Sequence, residues 1–103
     1  MKEKFLRHVV LFSFKDGIEE IQLQEIIRSF ENLEHSIDFV KSIEWGVNES
    51  PEGLNKGFTH CFIVTFDNDA SRNAYLIHPS HLIFIKRIKD SLKDVCVVDF
   101  WIN

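Results

Sequence analysis

The sequence predicts an α+β fold in which helices cover one face of a four-stranded antiparallel sheet. Its 103 residues suffice for one hydrophobic core and leave no room for a second domain. Strand-like and helix-like patterns follow one another in the order strand, helix, strand, strand, helix pair, strand. With right-handed crossovers this order gives the ferredoxin-like βαββαβ arrangement, in which the strands lie side by side in the order 4-1-3-2. We therefore assign residues 1–103 to a single domain.

The four predicted strands are rich in β-branched and aromatic residues, which favour extended backbone. The second of them alternates apolar and polar residues, which is typical of an edge strand or of a strand that contacts a partner. A loop with one proline and two glycines separates the second strand from the third. The predicted strands are residues 5–14, 40–48, 58–66 and 94–102.

The predicted helices lie after the first and third strands. From Ile18 to Ile37 the apolar residues recur three and four positions apart, which indicates an amphipathic helix of about four turns. An N-cap at residues 67–69 begins a helix over 70–77, and Pro79 ends it because proline lacks an amide donor and clashes one turn back. A third helix restarts at Ser80, and we expect it to bury Leu82, Phe84, Ile85, Ile88 and Leu92.

Charge and composition exclude several classes of function. The formal net charge is −4, and the largest basic cluster is Lys86, Arg87 and Lys89, so we expect no nucleic-acid partner. No stretch of about 18 apolar residues occurs and the first residues do not resemble a signal peptide, so we expect a soluble cytoplasmic protein without membrane contact. Cys61 and Cys96 are expected to be core residues about 9–10 Å apart, too far for an internal disulfide.

Three of the strands are apolar on both faces. In the first strand Val9 and Leu11 lie on the face away from the helices, and in the third strand Cys61 and Ile63 lie on that face. The fourth strand repeats the pattern. Helices cover only one face of such a sheet, so the other face requires a cover. The chain's own ends offer no spare segment of useful length. We therefore expect a homodimer.

Five strings of the sequence carry a common pattern. They are HVVLF at 8–12, EWG at 44–46, GFTH at 57–60 after SPEGL, YLIHPSH at 75–81 and VVDF at 97–100. With them the chain resembles the stress-response dimeric α/β-barrel domain, Dabb, over nearly its whole length. The resemblance implies a homodimer whose two sheets pack face to face into a barrel.

The best understood relatives of this family are plant polyketide cyclases, which close a linear tetraketide by an aldol step. They use the tyrosine and the second histidine of the Tyr-x-x-His-Pro-x-His string, so the resemblance implies Tyr75 and His81 as catalytic residues. In that interpretation His81 takes a proton from a carbon next to a carbonyl, and Tyr75 holds the developing oxyanion. This interpretation needs no cofactor, and we expect none. We also expect no metal, because Pro79 breaks the helix between the paired histidines at 78 and 81 and no Asp, Glu or Cys lies at ligand spacing nearby.

Further polar residues are expected to support this pair. His8 and His60 fall on the helix-facing side of neighbouring strands and are candidates to lie close together, and the family resemblance assigns Asp99 to the same side. With His78, they would bind a hydrophobic or aromatic ligand in a pocket with apolar walls. The expected wall residues are Val10, Phe12, Ile26, Phe30, Ile43, Phe62, Phe84 and Val97.

Two alternatives stay open from the sequence. The first is a non-catalytic, stress-related dimer, in which His8 and His60 bond Asp99 or backbone carbonyls and His78 caps the helix after the break. The second is a monooxygenase-like dimer, which rests on fold analogy alone. A pocket that contains the His81 ring and the Tyr75 hydroxyl would favour catalysis, whereas a filled interior would contradict it.

Overall fold

The computed structural model describes residues 4–102 and confirms the predicted sheet. Its four strands are β1 (Leu6–Phe14), β2 (Ser42–Val47), β3 (His60–Phe66) and β4 (Leu92–Trp101). They pair antiparallel in the order β2-β3-β1-β4, which is the predicted order. The second strand lies at an edge, as its alternation of apolar and polar residues indicated.

Three helices cover one face of the sheet, and a short 3-10 turn, not predicted, leads from the last of them into β4. No helix between residues 4 and 102 combines the length and the apolar character that a membrane span requires. The helices are α1 (Glu20–Ser36), α2 (Asp69–Leu76) and α3 (Pro79–Ile88).

The break between α2 and α3 follows from local chemistry. Asn68 begins α2, and its side chain accepts a hydrogen bond from the Ser71 amide at 2.8 Å. Pro79 occupies the first turn of α3, where its missing amide hydrogen leaves no partner unsatisfied. The ring of His78 accepts a hydrogen bond from the Ser80 amide at 3.1 Å, so His78 caps α3.

The hydrophobic core lies between the helices and β1 and β3. Phe30 of α1 stacks on Phe62 of β3 with ring centroids 4.2 Å apart and an interplanar angle of 4°. Phe12 of β1 packs against both rings, at 5.9 and 5.6 Å. The helices leave the β4 side of the sheet less covered, because Val95 and Val97 on its helix-facing side are 47% and 52% exposed.

The prediction that α3 buries five apolar residues is wrong for three of them. Phe84 and Ile88 are buried, but Leu82 and Ile85 are 52% and 41% exposed. The physical reason is that α3 packs on α1 along one side only, so Leu82 faces away from the core and Ile85 lies at the opening beside β4. Leu92, also assigned to this helix, is the first residue of β4.

The other face of the sheet has no cover among residues 4–102. Val98 and Phe100 of β4 point to this face and are 58% and 46% exposed. Leu11 pairs with both Cys61 and Cys96, so the two thiols lie on strands that flank β1. Both cysteines are free and only half-buried. The expectation that they are core residues is wrong within this chain, because they lie on the face that the helices do not cover.

Candidate active site

A cavity of about 900 Å³ opens between α2 and α3 and the helix-facing side of β1 and β4. A volume of this size suits a drug-sized ligand, and the walls are mainly apolar. The space exists because the helices leave β4 partly uncovered. Of the wall residues expected from the sequence, five line the cavity: Val10, Phe12, Phe30, Phe84 and Val97.

Three expected wall residues do not line it. Phe62 is fully buried beneath Phe30, so the stacked pair forms a packed layer below the cavity. Ile26 is buried in the core, and Ile43 packs against the core from the edge strand β2. These three residues lie behind the cavity wall and do not form part of its surface.

The hydroxyl of Tyr75 is the most unusual polar group of the cavity. Tyr75 lies on α2, its side chain is fully buried, and its hydroxyl oxygen has no hydrogen-bond partner among the described residues. Burial raises the pKa of Tyr75 above its ordinary value, so the hydroxyl stays protonated at neutral pH. A buried hydroxyl without a partner costs about 1–3 kcal/mol, and a ligand that bonds to it would recover that cost.

His81 of α3 packs against the ring of Tyr75. Its Nδ1 donates a hydrogen bond to the Leu76 carbonyl oxygen at 3.1 Å, so the neutral ring has its lone pair on Nε2. Burial lowers the pKa of His81, the hydrogen bond to Leu76 opposes this, and the nearby charges of His8 and His78 lower it further. The ring centroids of Tyr75 and His81 are 4.3 Å apart. A neutral imidazole therefore lies next to a protonated phenol.

A second polar group lines the same cavity. The register of β1 and β4 sets His8 opposite Asp99, and His8 Nδ1 lies 2.8 Å from Asp99 Oδ1. Arg72 of α2 donates from Nη1 to Asp99 Oδ2 at 2.7 Å. The His8 ring meets the Tyr75 ring edge-on at 5.9 Å. The sequence analysis did not select Arg72; its position three residues before Tyr75, on the same helix face, is the signal that could have found it.

The expectation that His8 and His60 lie close together is wrong. In the register of β1 and β3, His8 pairs with Val64 and His60 pairs with Phe12. The two histidines are therefore offset by four residues along β1, which is about 13 Å of strand. Strand faces were predicted correctly, but the face alone does not fix the position along the strand.

His60 lies outside the cavity, in an aromatic cluster at the other end of the sheet. It is buried, stacks on Trp45 at 6.2 Å and meets Phe14 edge-on at 5.2 Å. Its Nδ1 lies 2.8 Å from Thr59 Oγ1. Burial lowers the pKa of His60, and the charge of Glu20 opposes that effect. This environment is that of a packing histidine.

His78 also lies outside the cavity. Its Nδ1 accepts the Ser80 amide, and its ring packs edge-on against Phe39 at 6.1 Å. An amide donor at Nδ1 requires an unprotonated nitrogen there, so His78 holds its proton on Nε2. In the part of the chain that the structure describes, no group of three His, Cys, Asp or Glu side chains is arranged to hold a metal ion.

Comparisons with known proteins agree with this architecture. The family model of the stress responsive A/B barrel domain matches residues 6–102. The stress-response A/B barrel domain-containing protein HS1 of Arabidopsis thaliana is 37% identical over 95 residues, which are 92% of this chain and 87% of the relative. Olivetolic acid cyclase of Cannabis sativa is 33% identical over 79 residues, 77% of this chain and 78% of that protein.

Solved structures show the same fold. The hydroxynitrile lyase from Passiflora edulis superposes with a TM-score of 0.91 and 27% identity, over 99% of this chain and 96% of that one. A dimeric ferredoxin-like protein of unknown function from Thermobifida fusca superposes with a TM-score of 0.81 and 23% identity, over 98% and 93% of the two chains. The predicted ferredoxin-like fold is confirmed.

Proposed function

The chain belongs to the stress-responsive A/B barrel domain family, and from that premise we propose that it is a homodimeric, cofactor-free enzyme of the cyclase or lyase type. Its substrate would be a hydrophobic or aromatic small molecule that carries a carbonyl group or a hydroxyl group that becomes a carbonyl on cleavage. The observation that carries the proposal is the pairing of a buried, unbonded Tyr75 hydroxyl with the His81 ring in a largely apolar cavity.

The proposed chemistry is proton transfer next to a carbonyl. His81 accepts a proton at Nε2 from the carbon beside the carbonyl, and the Tyr75 hydroxyl donates a hydrogen bond to the oxygen on which negative charge develops. The lowered pKa of His81 keeps the base neutral, and the raised pKa of Tyr75 keeps the donor protonated. In the cyclase direction the carbanion then forms a C–C bond to a second carbonyl carbon of the substrate, and His81 returns the proton to the new alkoxide oxygen. In the lyase direction His81 accepts the proton of a hydroxyl group, the adjacent C–C bond breaks to leave a carbonyl, and His81 gives the proton to the departing carbanion.

Two relatives support this class of reaction. One protein similar to this chain is named as a cyclase and another as a lyase. The apolar walls support a ligand with a ring or an alkyl chain, because such surface is removed from water on binding. His8 and Asp99 would act as supporting polar groups, whereas His60 and His78 have structural surroundings.

The proposed homodimer would cover the open face of the sheet. Val98 and Phe100 are exposed there, and an apolar sheet face of this kind is normally covered. Two polar atoms on the same face, Arg7 Nε and Thr65 Oγ1, are buried without hydrogen-bond partners among residues 4–102. A structural neighbour with the same fold is described as dimeric.

The test uses two carbonyl-releasing probes. Mandelonitrile cleavage releases benzaldehyde and hydrogen cyanide, and retro-aldol cleavage of a fluorogenic naphthyl β-hydroxyketone releases a naphthaldehyde and a ketone. We expect the parent protein to turn over at least one probe, and we expect His81→Gln to lower that rate by about 100-fold or more. His35→Gln is the matched control, because His35 is exposed at the end of α1 and should leave the rate unchanged.

A non-catalytic dimer is the second candidate, and the structural surroundings of His60 and His78 favour it. It predicts no turnover of either probe by the parent protein, or equal turnover by the parent and His81→Gln. Either result would contradict the enzymatic proposal.

A further inference from the structure

We propose that Arg72 is a positioning residue of this site, which acts through Asp99 to fix the proton of the His8 ring on Nδ1. The ring of His8 then presents the Nε2 lone pair to the cavity as a second proton acceptor beside His81. The catalytic meaning of this arrangement rests on the proposed function, but the arrangement itself can be tested separately.

Asp99 uses both carboxylate oxygens in this arrangement. Oδ1 lies 2.8 Å from His8 Nδ1, and Oδ2 accepts the Arg72 guanidinium at 2.7 Å. A carboxylate paired with a guanidinium only accepts hydrogen bonds, so the His8 nitrogen must be the donor. The three side chains are 6% (His8), 21% (Asp99) and 23% (Arg72) exposed, and partial shielding from water strengthens such charge-assisted bonds.

The guanidinium of Arg72 is itself held in place. Its Nε donates to Asn73 Oδ1 at 2.9 Å, so Nη1 is directed at Asp99. The residue comes from α2, whereas His8 and Asp99 come from neighbouring strands. Arg72 therefore ties the helix that carries Tyr75 to the sheet that carries His8.

Without Arg72, the carboxylate of Asp99 would lose one of its two anchors. Asp99 lies on an edge strand beside a cavity that is open to water, so its side chain would be free to rotate towards solvent. A neutral histidine side chain in water favours the tautomer with the proton on Nε2. We therefore expect His8 to revert towards that tautomer when the guanidinium is removed.

The consequence is a cavity in which two imidazole acceptors pack against the ring of Tyr75. His81 donates from Nδ1 to Leu76, and His8 donates from Nδ1 to Asp99, so both rings have the lone pair on Nε2. His8 and His81 approach the Tyr75 ring at 5.9 and 4.3 Å. His78 has the opposite tautomer and lies outside the cavity.

Long-range ¹H–¹⁵N correlation spectra of the histidine rings test this inference at about pH 8. The samples are the full chain and its Arg72→Gln, Arg72→Met and Arg72→Lys variants, with His8→Gln to assign the His8 signals. In the parent we expect the Nδ1–H tautomer at His8. We expect Arg72→Gln and Arg72→Met to lower the ratio of that tautomer to the other by about fivefold, the shift for one net hydrogen bond.

Arg72→Lys restores a cation at the same place and is expected to keep the parent tautomer. The His78 signals provide an internal control, because that ring should show Nε2–H in every variant. An unchanged His8 tautomer in both Arg72→Gln and Arg72→Met would overturn the inference. The readout does not depend on turnover, so failure of the two probes would count against the proposed function alone.

Discussion

The rings of Tyr75 and His81 lie 4.3 Å apart at a tilt of 39°, although they belong to different helices. Pro79 makes this possible, because α2 ends before it and α3 begins with it. The turn brings a phenol and an imidazole six positions apart in sequence into ring contact in one cavity. The proposed chemistry therefore depends on a break in the helix.

Substituting Tyr75→Phe should separate function from stability. The hydroxyl is buried without a partner, so removing it should leave the free energy of unfolding unchanged or raise it by about 1 kcal/mol. The same substitution should lower turnover of the carbonyl probes by about 100-fold, the loss expected for one oxyanion donor. Urea unfolding and the initial rate measure the two effects. A loss of more than about 1 kcal/mol of stability would show that the hydroxyl is bonded in the fold.

The stability of the protein should fall as the pH drops below about 6.5. Burial lowers the pKa of His60 in the folded state, so the fold favours the neutral ring. The contribution is fully present above the unfolded value of about 6.5 and is lost as the pH falls towards the lower folded value. Melting temperatures at pH 7.5 and pH 5 measure it.

His60→Gln should reduce this dependence on pH, whereas His35→Gln at an exposed position should preserve it. His81 contributes in the same direction, because its pKa is also lowered mainly by burial. Equal pH dependence in the parent and His60→Gln would refute the assignment to His60.

Much of the fold follows from the sequence because alternation fixes which face of a strand is buried. His8, Val10 and Phe12 face the helices, as the period of two requires, and the strand order follows from handed crossovers. Register was not predictable in this way, because it depends on pairing between distant residues. That is why His60 was expected near His8 and lies opposite Phe12.

The site was only partly predictable for the same physical reason. Tyr75 and His81 belong to one short string, so a single sequence motif identifies both as candidate site residues. Arg72 and Asp99 are 27 residues apart, and neither residue alone signals an ion pair. The pattern of α3 shows that Ile85 is apolar but does not show that it borders a cavity.

The open face of the sheet should be the dimer interface. Val98→Lys places a charge on that face, so we expect the mass in solution to fall from about 24 kDa, twice 12.1 kDa, to 12.1 kDa. Ile83→Lys is the matched control, because Ile83 is 60% exposed on α3 and Val98 is 58% exposed on β4. Light scattering at micromolar concentration measures the mass. A parent protein of 12.1 kDa, or dissociation by Ile83→Lys alone, would contradict this interface.

Chemical rescue of His81→Ala tests the role of His81 most directly. The substitution removes the ring that lies against Tyr75 and leaves room for free imidazole. The account predicts that turnover of the probe that the parent cleaves falls by about 100-fold or more in His81→Ala. Added imidazole should then raise the turnover rate of this variant about tenfold. The exposed His35→Ala variant should show neither effect. Turnover by His81→Ala at the parent rate would contradict the account.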